Sequence, residues 1–207
     1  MRIALIHAVR LAMQPVEDAF RRHWPEIERM NLLDDSLSMD RARDAELSAA
    51  LSRRIGALAD YAIGCGATGI LYTCSAFGDA IQAVKARLDV PVLKPNEAML
   101  EEALRHGKRL GLLATFAASI PSMQAELAGV ALESVCVPEA MAALQAGEGA
   151  RHDALLAAAA PRLGSCDAIM LAQFSTARAR PAVAAAVTCP VLTSPDSAVL
   201  AMRKRLI

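Results

Sequence analysis

Ile70-Leu71-Tyr72-Thr73-Cys74-Ser75-Ala76 stands, residue for residue, 99 positions before Ile169-Met170-Leu171-Ala172-Gln173-Phe174-Ser175. The same offset lays 67–104 over 166–203 without a gap and puts Pro91-Val92-Leu93 on Pro190-Val191-Leu192. Each copy has a short apolar run, a small polar turn, an Ala-rich stretch of helical character and a second short apolar run behind a proline. Continuous apolar runs separated by helices mark parallel strands covered on both faces. A second correspondence supports two halves: Arg2-Ile3-Ala4-Leu5-Ile6 resembles Arg109-Leu110-Gly111-Leu112-Leu113. The expected fold is therefore α/β with two similar lobes, each a roughly four-stranded parallel sheet flanked by helices. A pseudo-two-fold axis is expected to relate them, with the active site in the cleft between.

Outward from that register, strands are expected at 2–7, 27–33, 69–73, 90–93, 109–114, 130–136, 167–172 and 189–192. Helical spacing or alanine-rich sequence marks 15–23, 43–63, 77–88, 95–106, 118–128, 139–145, 151–162, 178–187 and 195–205. No long linker appears. The first lobe is expected to take 1–94 plus a returning 191–207, and the second lobe 95–190.

Composition excludes several classes. With 207 residues, 55% of them hydrophobic, the chain can fill one large core or two small ones. Its 22 basic and 22 acidic residues cancel, so it lacks the electrostatic footprint of a nucleic-acid binder. Aromatics at 3% leave little for base stacking. Five cysteines without a C-x-x-C pair, and only four histidines, give a zinc site no support and read as reduced intracellular thiols. The apolar run in Met1–His7 is too short for a signal peptide, and no stretch reaches the roughly 18–20 apolar residues of a membrane span. A cytoplasmic protein is expected, with no cofactor, no metal, no nucleic-acid partner and no membrane partner; homo-oligomerisation stays open. No G-x-G-x-x-G, P-loop or G-x-S-x-G occurs.

In open parallel sheets ligands bind beyond the carboxyl ends of the strands. Four loops qualify, and one carries a thiol. Cys74, between Thr73 and Ser75, should stand where a helix begins, so that free N–H groups and the positive helix end depress its pKa. The plainer alternative is a packed cysteine. Cys65, Cys136, Cys166 and Cys189 read as structural. Ser75, Thr115, Ser175 and Thr176, with the backbone at Ala76, are small groups at strand-to-helix turns. Together they can bind a carboxylate, or they are ordinary helix caps. His7 ends the first strand, either as a satisfied strand-end histidine or as a proton carrier and substrate donor. Asp34, Asp35 and Ser36 follow the second strand, either as further substrate contacts or as ordinary loop residues, and Leu37, Met39 and Phe77 are candidate pocket walls.

The two lobes, the Thr73-Cys74-Ser75 turn and its counterpart at Leu171-Ala172-Gln173-Phe174-Ser175 resemble the aspartate/glutamate/hydantoin racemase superfamily. That group includes racemases, maleate isomerases and arylmalonate decarboxylases. The resemblance implies cofactor-free chemistry at the carbon next to a carboxylate of a small acid or amino acid. In the racemases two cysteines face each other across the substrate; by position these are Cys74 and residue 173. Thr115, in Leu113-Ala114-Thr115, resembles the threonine that helps to hold a carboxylate. Glutamine at 173 resembles a subgroup in which it replaces the second cysteine. An amide takes up no proton near neutral pH, so two-thiol racemisation is not expected. The expectation is an isomerase-like enzyme with Cys74 catalytic and Gln173 orienting the substrate. Decarboxylation of a malonate-type acid and hydrolysis are alternatives, and a non-catalytic small-acid binder is the reading from another class.

Overall fold

The computed structural model describes residues 1–44, 46–117, 119–127 and 129–207. Ala45, inside the expected 43–63 helix, and Ala118 and Ala128, the ends of the expected 118–128 helix, lie outside the described residues. The chain divides into two compact units, Met1–Glu97 with Ala198–Ile207, and Ala98–Ser197.

In the first unit β1 (Arg2–His7), β2 (Glu28–Leu33), β3 (Gly69–Tyr72) and β4 (Val92–Leu93) form one sheet in the order β2-β1-β3-β4, with every pair parallel. Helices α1 (Met13–His23), α2 (Ser36–Arg43), α3 (Ala49–Gly64) and α4 (Gly78–Arg87) connect the strands. The central strands are apolar in their interiors, Ile3–Ile6 in β1 and the whole of β3, because both faces are covered, and all four residues of β3 are buried. The edge strand β2 keeps exposed Glu28 and Asn31.

The second unit repeats this plan. Its strands β5 (Arg109–Ala114), β6 (Ala131–Cys136), β7 (Ala168–Leu171) and β8 (Val191–Thr193) run in the order β6-β5-β7-β8, again all parallel. Its helices are α5 (Glu97–His106), α6 (Ser119–Glu126), α7 (Pro138–Gln145), α8 (Gly149–Ala159) and α9 (Arg180–Ala186); α10 (Ser194–Leu206) ends the chain. The paired prolines have one job in both units. Each lacks an N–H but offers its carbonyl at a strand start: Pro91 accepts from Ile70 N and Pro190 from Ile169 N, both at 2.9 Å.

In the first unit Met202 and Leu206 of α10 cover Gly69, where an added Cβ would lie 2.8 Å from the Met202 sulfur. Glycine here lets the helix approach the sheet. Among the described residues no helix is long and apolar enough to cross a membrane.

Two expectations need correction. The 43–63 helix starts only at Ala49, because the Ser48 hydroxyl accepts from Leu51 N at 3.3 Å and caps it there. The preceding residues 36–42, for which no helix is expected, form α2 with Arg43 instead. Asp34 starts it by accepting from Ser36 N at 3.3 Å and from Ser36 Oγ at 2.7 Å. Its polar sequence carries too little apolar periodicity to announce a helix.

Candidate functional site

Parallel pairing brings the ends of β1, β2 and β3 to one edge of the first sheet. Thr73 N donates to Ile6 O at 3.0 Å and Asp34 N to His7 O at 3.1 Å, so the chain leaves all three strands side by side. At this edge stand His7, Cys74, Ser75 and Ala76. Cys74 is extended (φ −127°, ψ 121°) and precedes a 3-10 turn, Ser75–Phe77, that runs into α4. The thiol is half-buried, while Ser75 and Ala76 are exposed.

Burial pushes the Cys74 thiol up from its ordinary value, against hydrogen bonds from the Ala76 backbone and the Ser38 side chain that favour the thiolate. This reverses the expected direction. The helix start is close to where the sequence placed it, but desolvation outweighs the hydrogen bonds that favour the thiolate.

Two residues beside Cys74 were not anticipated: Ser38 and Arg41, both on α2. Arg41 Nε donates to Ala76 O at 3.3 Å and Nη1 to Asp44 O at 2.7 Å. Backbone carbonyls thus fix a guanidinium against the Cys74 turn, and among the described residues no carboxylate pairs with it. Only the Asp34-x-Ser36 cap signal could have revealed this helix.

His7, expected as a substrate donor or proton carrier, is fully buried at the strand end. Its Nδ1 lies 2.9 Å from Thr73 Oγ1 and its Nε2 lies 2.9 Å from Asn31 Oδ1. Burial lowers its pKa, against hydrogen bonding from Asn31 and the charge of Glu17. The neighbouring acids are likewise committed. Asp34 takes a salt bridge from Arg54 at 2.6 Å, and Asp35 one from Arg10 at 3.2 Å. Leu37 and Phe77, proposed as pocket walls, are buried core residues; Met39 is exposed.

At the carboxyl edge of the second sheet stand Thr115, Gln173, Ser175 and Thr176. Ala172 N donates to Leu113 O at 3.0 Å, the counterpart of the Thr73–Ile6 bond. Gln173 takes the extended conformation of Cys74 (φ −120°, ψ 152°) before a 3-10 turn, Phe174–Ala179. Its amide oxygen accepts from Thr115 N at 3.1 Å and Thr115 Oγ1 at 3.2 Å, while Nε2 donates to Ser119 Oγ at 2.7 Å. The Thr176 hydroxyl is buried and serves the cap, donating to Gln173 O at 2.6 Å and accepting from Gln173 N at 3.3 Å. Ser175 is half-buried on the same turn. Ser119, which completes this network, had no sequence signal beyond its hydroxyl.

Both turns sit on the fold that the repeat predicts, and solved structures share that fold. Allantoin racemase from Klebsiella pneumoniae superposes with a TM-score of 0.74 at 15% identity, over 99% of this chain and 86% of that one. Aspartate racemase from Picrophilus torridus gives 0.74 at 15% identity, over 98% and 93%. A glycine-to-cysteine mutant of arylmalonate decarboxylase in its sulfate-associated form gives 0.68 at 17% identity, over 99% and 92%. No curated protein matches the sequence significantly. At such identities the likeness is one of fold. The family model for Asp/Glu/hydantoin racemase matches residues 10–150, more than half of the chain, and the chain belongs to that family.

Proposed function

We propose that this chain is a cofactor-independent enzyme that moves one proton at the carbon next to a carboxylate of a small acid or amino acid, with Cys74 as its acid/base group. The observation that carries the proposal is the asymmetry between the repeat-equivalent positions. One copy holds a half-buried thiol and the other an amide already bonded to Thr115 and Ser119. Glutamine accepts no proton near neutral pH, so position 173 supplies no second base. Gln173 then positions the Thr115 and Ser119 turns through its amide. Arg41 and the turn at Ser75 and Ala76 in the first unit, and Thr115 and Ser175 in the second, are the groups suited to holding carboxylate oxygens.

A thiol that burial pushes above its ordinary value suits one reaction within this class, decarboxylation of a malonate-type acid. The bond to one carboxylate breaks, carbon dioxide leaves, and the electron pair stays on the α-carbon as an enediolate. The Cys74 S–H bond then breaks, its proton goes to that carbon, and water reprotonates the thiolate. A one-base isomerisation uses the same group in the opposite order.

The test is NMR detection of deuterium incorporation from D2O into a panel of amino acids, hydantoins and substituted malonates, with the parent and Cys74→Ala side by side. Incorporation that Cys74→Ala abolishes supports the proposal. Equal incorporation by both proteins, or none with any compound, sinks it.

A further inference from the structure

Buried His7 occupies the end of β1 beside the strand that delivers Cys74. We infer that His7 is a positioning residue, whose imidazole holds the Thr73 hydroxyl and through it fixes the strand end from which Cys74 departs. The inference rests on Cys74 being the reacting group.

The hydrogen bonds form a chain whose direction is determined from its outer end. The Glu17 carboxylate only accepts, so Asn31 Nδ2 donates to Glu17 Oε1 at 2.9 Å and turns its Oδ1 toward the ring. That oxygen also only accepts, so His7 Nε2 carries the hydrogen and donates across 2.9 Å. The neutral ring is left with a lone pair on Nδ1. Thr73 Oγ1 fills it by donating at 2.9 Å, in preference to its longer 3.3 Å approach to Ile6 O. Glu17 is itself held by Arg29 Nε at 3.1 Å. Thr73 is thus gripped twice, by its side chain through His7 and by its backbone N–H on Ile6 O. Cys74 follows directly.

The second unit supplies an internal comparison. Ala114 ends β5 as His7 ends β1, and Ala172 follows β7 as Thr73 follows β3. Both members of the polar lock are alanine in the copy that lacks the thiol. Holding the strands together therefore does not require the lock, since the second sheet closes in the same order without it. Its presence in the Cys74 copy alone ties it to the thiol.

The experiment uses the full chain as Thr73→Val, Thr73→Ser and His7→Asn, each first shown to be folded by circular dichroism. Backbone hydrogen exchange is followed across 74–78, and iodoacetamide alkylation of Cys74 is read by peptide mass spectrometry with Cys65 as internal reference. Losing one buried hydrogen bond of ordinary strength should speed exchange at 74–78 in Thr73→Val and His7→Asn by about fivefold or more. Alkylation of Cys74 should change by a similar factor while Cys65 keeps its rate, and Thr73→Ser should restore both readouts. Because Thr73→Val keeps the side-chain shape, it tests the lock even if His7→Asn does not fold. Unchanged exchange at 74–78 in folded Thr73→Val overturns the inference. So does an equal acceleration over the whole first sheet, which would mark a merely structural residue. Failure of the reacting-group reading shows elsewhere, as full turnover by Cys74→Ala, and leaves the exchange readout intact.

Discussion

Thr115 gives both its backbone N–H and its hydroxyl to the amide oxygen of Gln173, at 3.1 and 3.2 Å. Two donors converging on one oxygen is the geometry with which a protein holds a carboxylate oxygen. Here a side chain of the protein supplies that oxygen, and Ser119 holds the other end of the amide. The glutamine therefore joins the turn after β7 to the turn after β5, and a ligand carboxylate bound at Thr115 must displace it.

Gln173→Ala should expose this arrangement. Thr115 is buried, so removing the acceptor leaves two donors without their partner and should cost about 1–3 kcal/mol of stability. Urea unfolding measures it. Binding of malonate or sulfate, followed by calorimetry, should tighten in the variant because the Thr115 donors no longer need to be vacated. Weaker anion binding together with unchanged stability would remove Gln173 from this role.

Asp34 anchors α2, the helix that brings Ser38 to Cys74 and Arg41 to the turn after it. Burial alone would raise its carboxyl, but the Ser36 hydroxyl and the Arg54 guanidinium outweigh burial and hold it below the ordinary 3.8. A folded-state value below the unfolded one stabilises the protein above about pH 4, and that contribution disappears as pH falls through the folded value. Both partners are partly exposed, so the effect of Asp34→Asn near neutrality should be about 1 kcal/mol or less. Parent and variant should converge in thermal stability under acid. A gap that persists unchanged at pH 3 would contradict the assignment.

The sequence made the sheets legible and left the site half hidden, for one physical reason. Burial on both faces writes a strand into the chain as an apolar run, and β3 and β7 match to the residue at the 99-residue offset. The edge strand β2 was still found because Met30, Leu32 and Leu33 remain apolar on a partly exposed edge. The polar helix α2 has no such imprint. Ser38 reaches the thiol and Arg41 the carbonyl of Ala76 from a segment that Asp34 and Arg54 fold back, a contact between residues 20 positions apart. The direction of the Cys74 pKa is hidden for a related reason, since a helix start is visible in a sequence and desolvation is not.

His7 gives stability its own dependence on pH. Burial lowers its pKa below the ordinary 6.5, so the folded protein resists a proton that the unfolded chain accepts. The native state keeps its full advantage above 6.5 and loses it progressively as pH falls toward the folded value. Relative to His7→Asn, which cannot take that proton, the parent should be at its best above about pH 7 and lose ground below about pH 6. Chemical denaturation across that range checks it, and a parent–variant difference independent of pH counts against a neutral buried imidazole.

Cys74 should titrate late. Its thiol is pushed above the ordinary 9.0 by burial, so iodoacetamide alkylation of the free protein should stay slow at neutral pH and rise through a midpoint above 9. This property suits a proton donor: a sulfur that holds its proton at neutral pH can deliver it to a carbanion, whereas a thiolate cannot. Cys74→Ala should therefore lower turnover by about 10²–10⁴-fold, the range of a general acid/base. Cys74→Ser, whose hydroxyl is a far weaker acid, should fall nearly as far. A substrate-like acid should protect the thiol from alkylation. A midpoint well below pH 8 in the free protein would instead identify a thiolate, and would move the chemistry from proton donation to proton removal or nucleophilic attack.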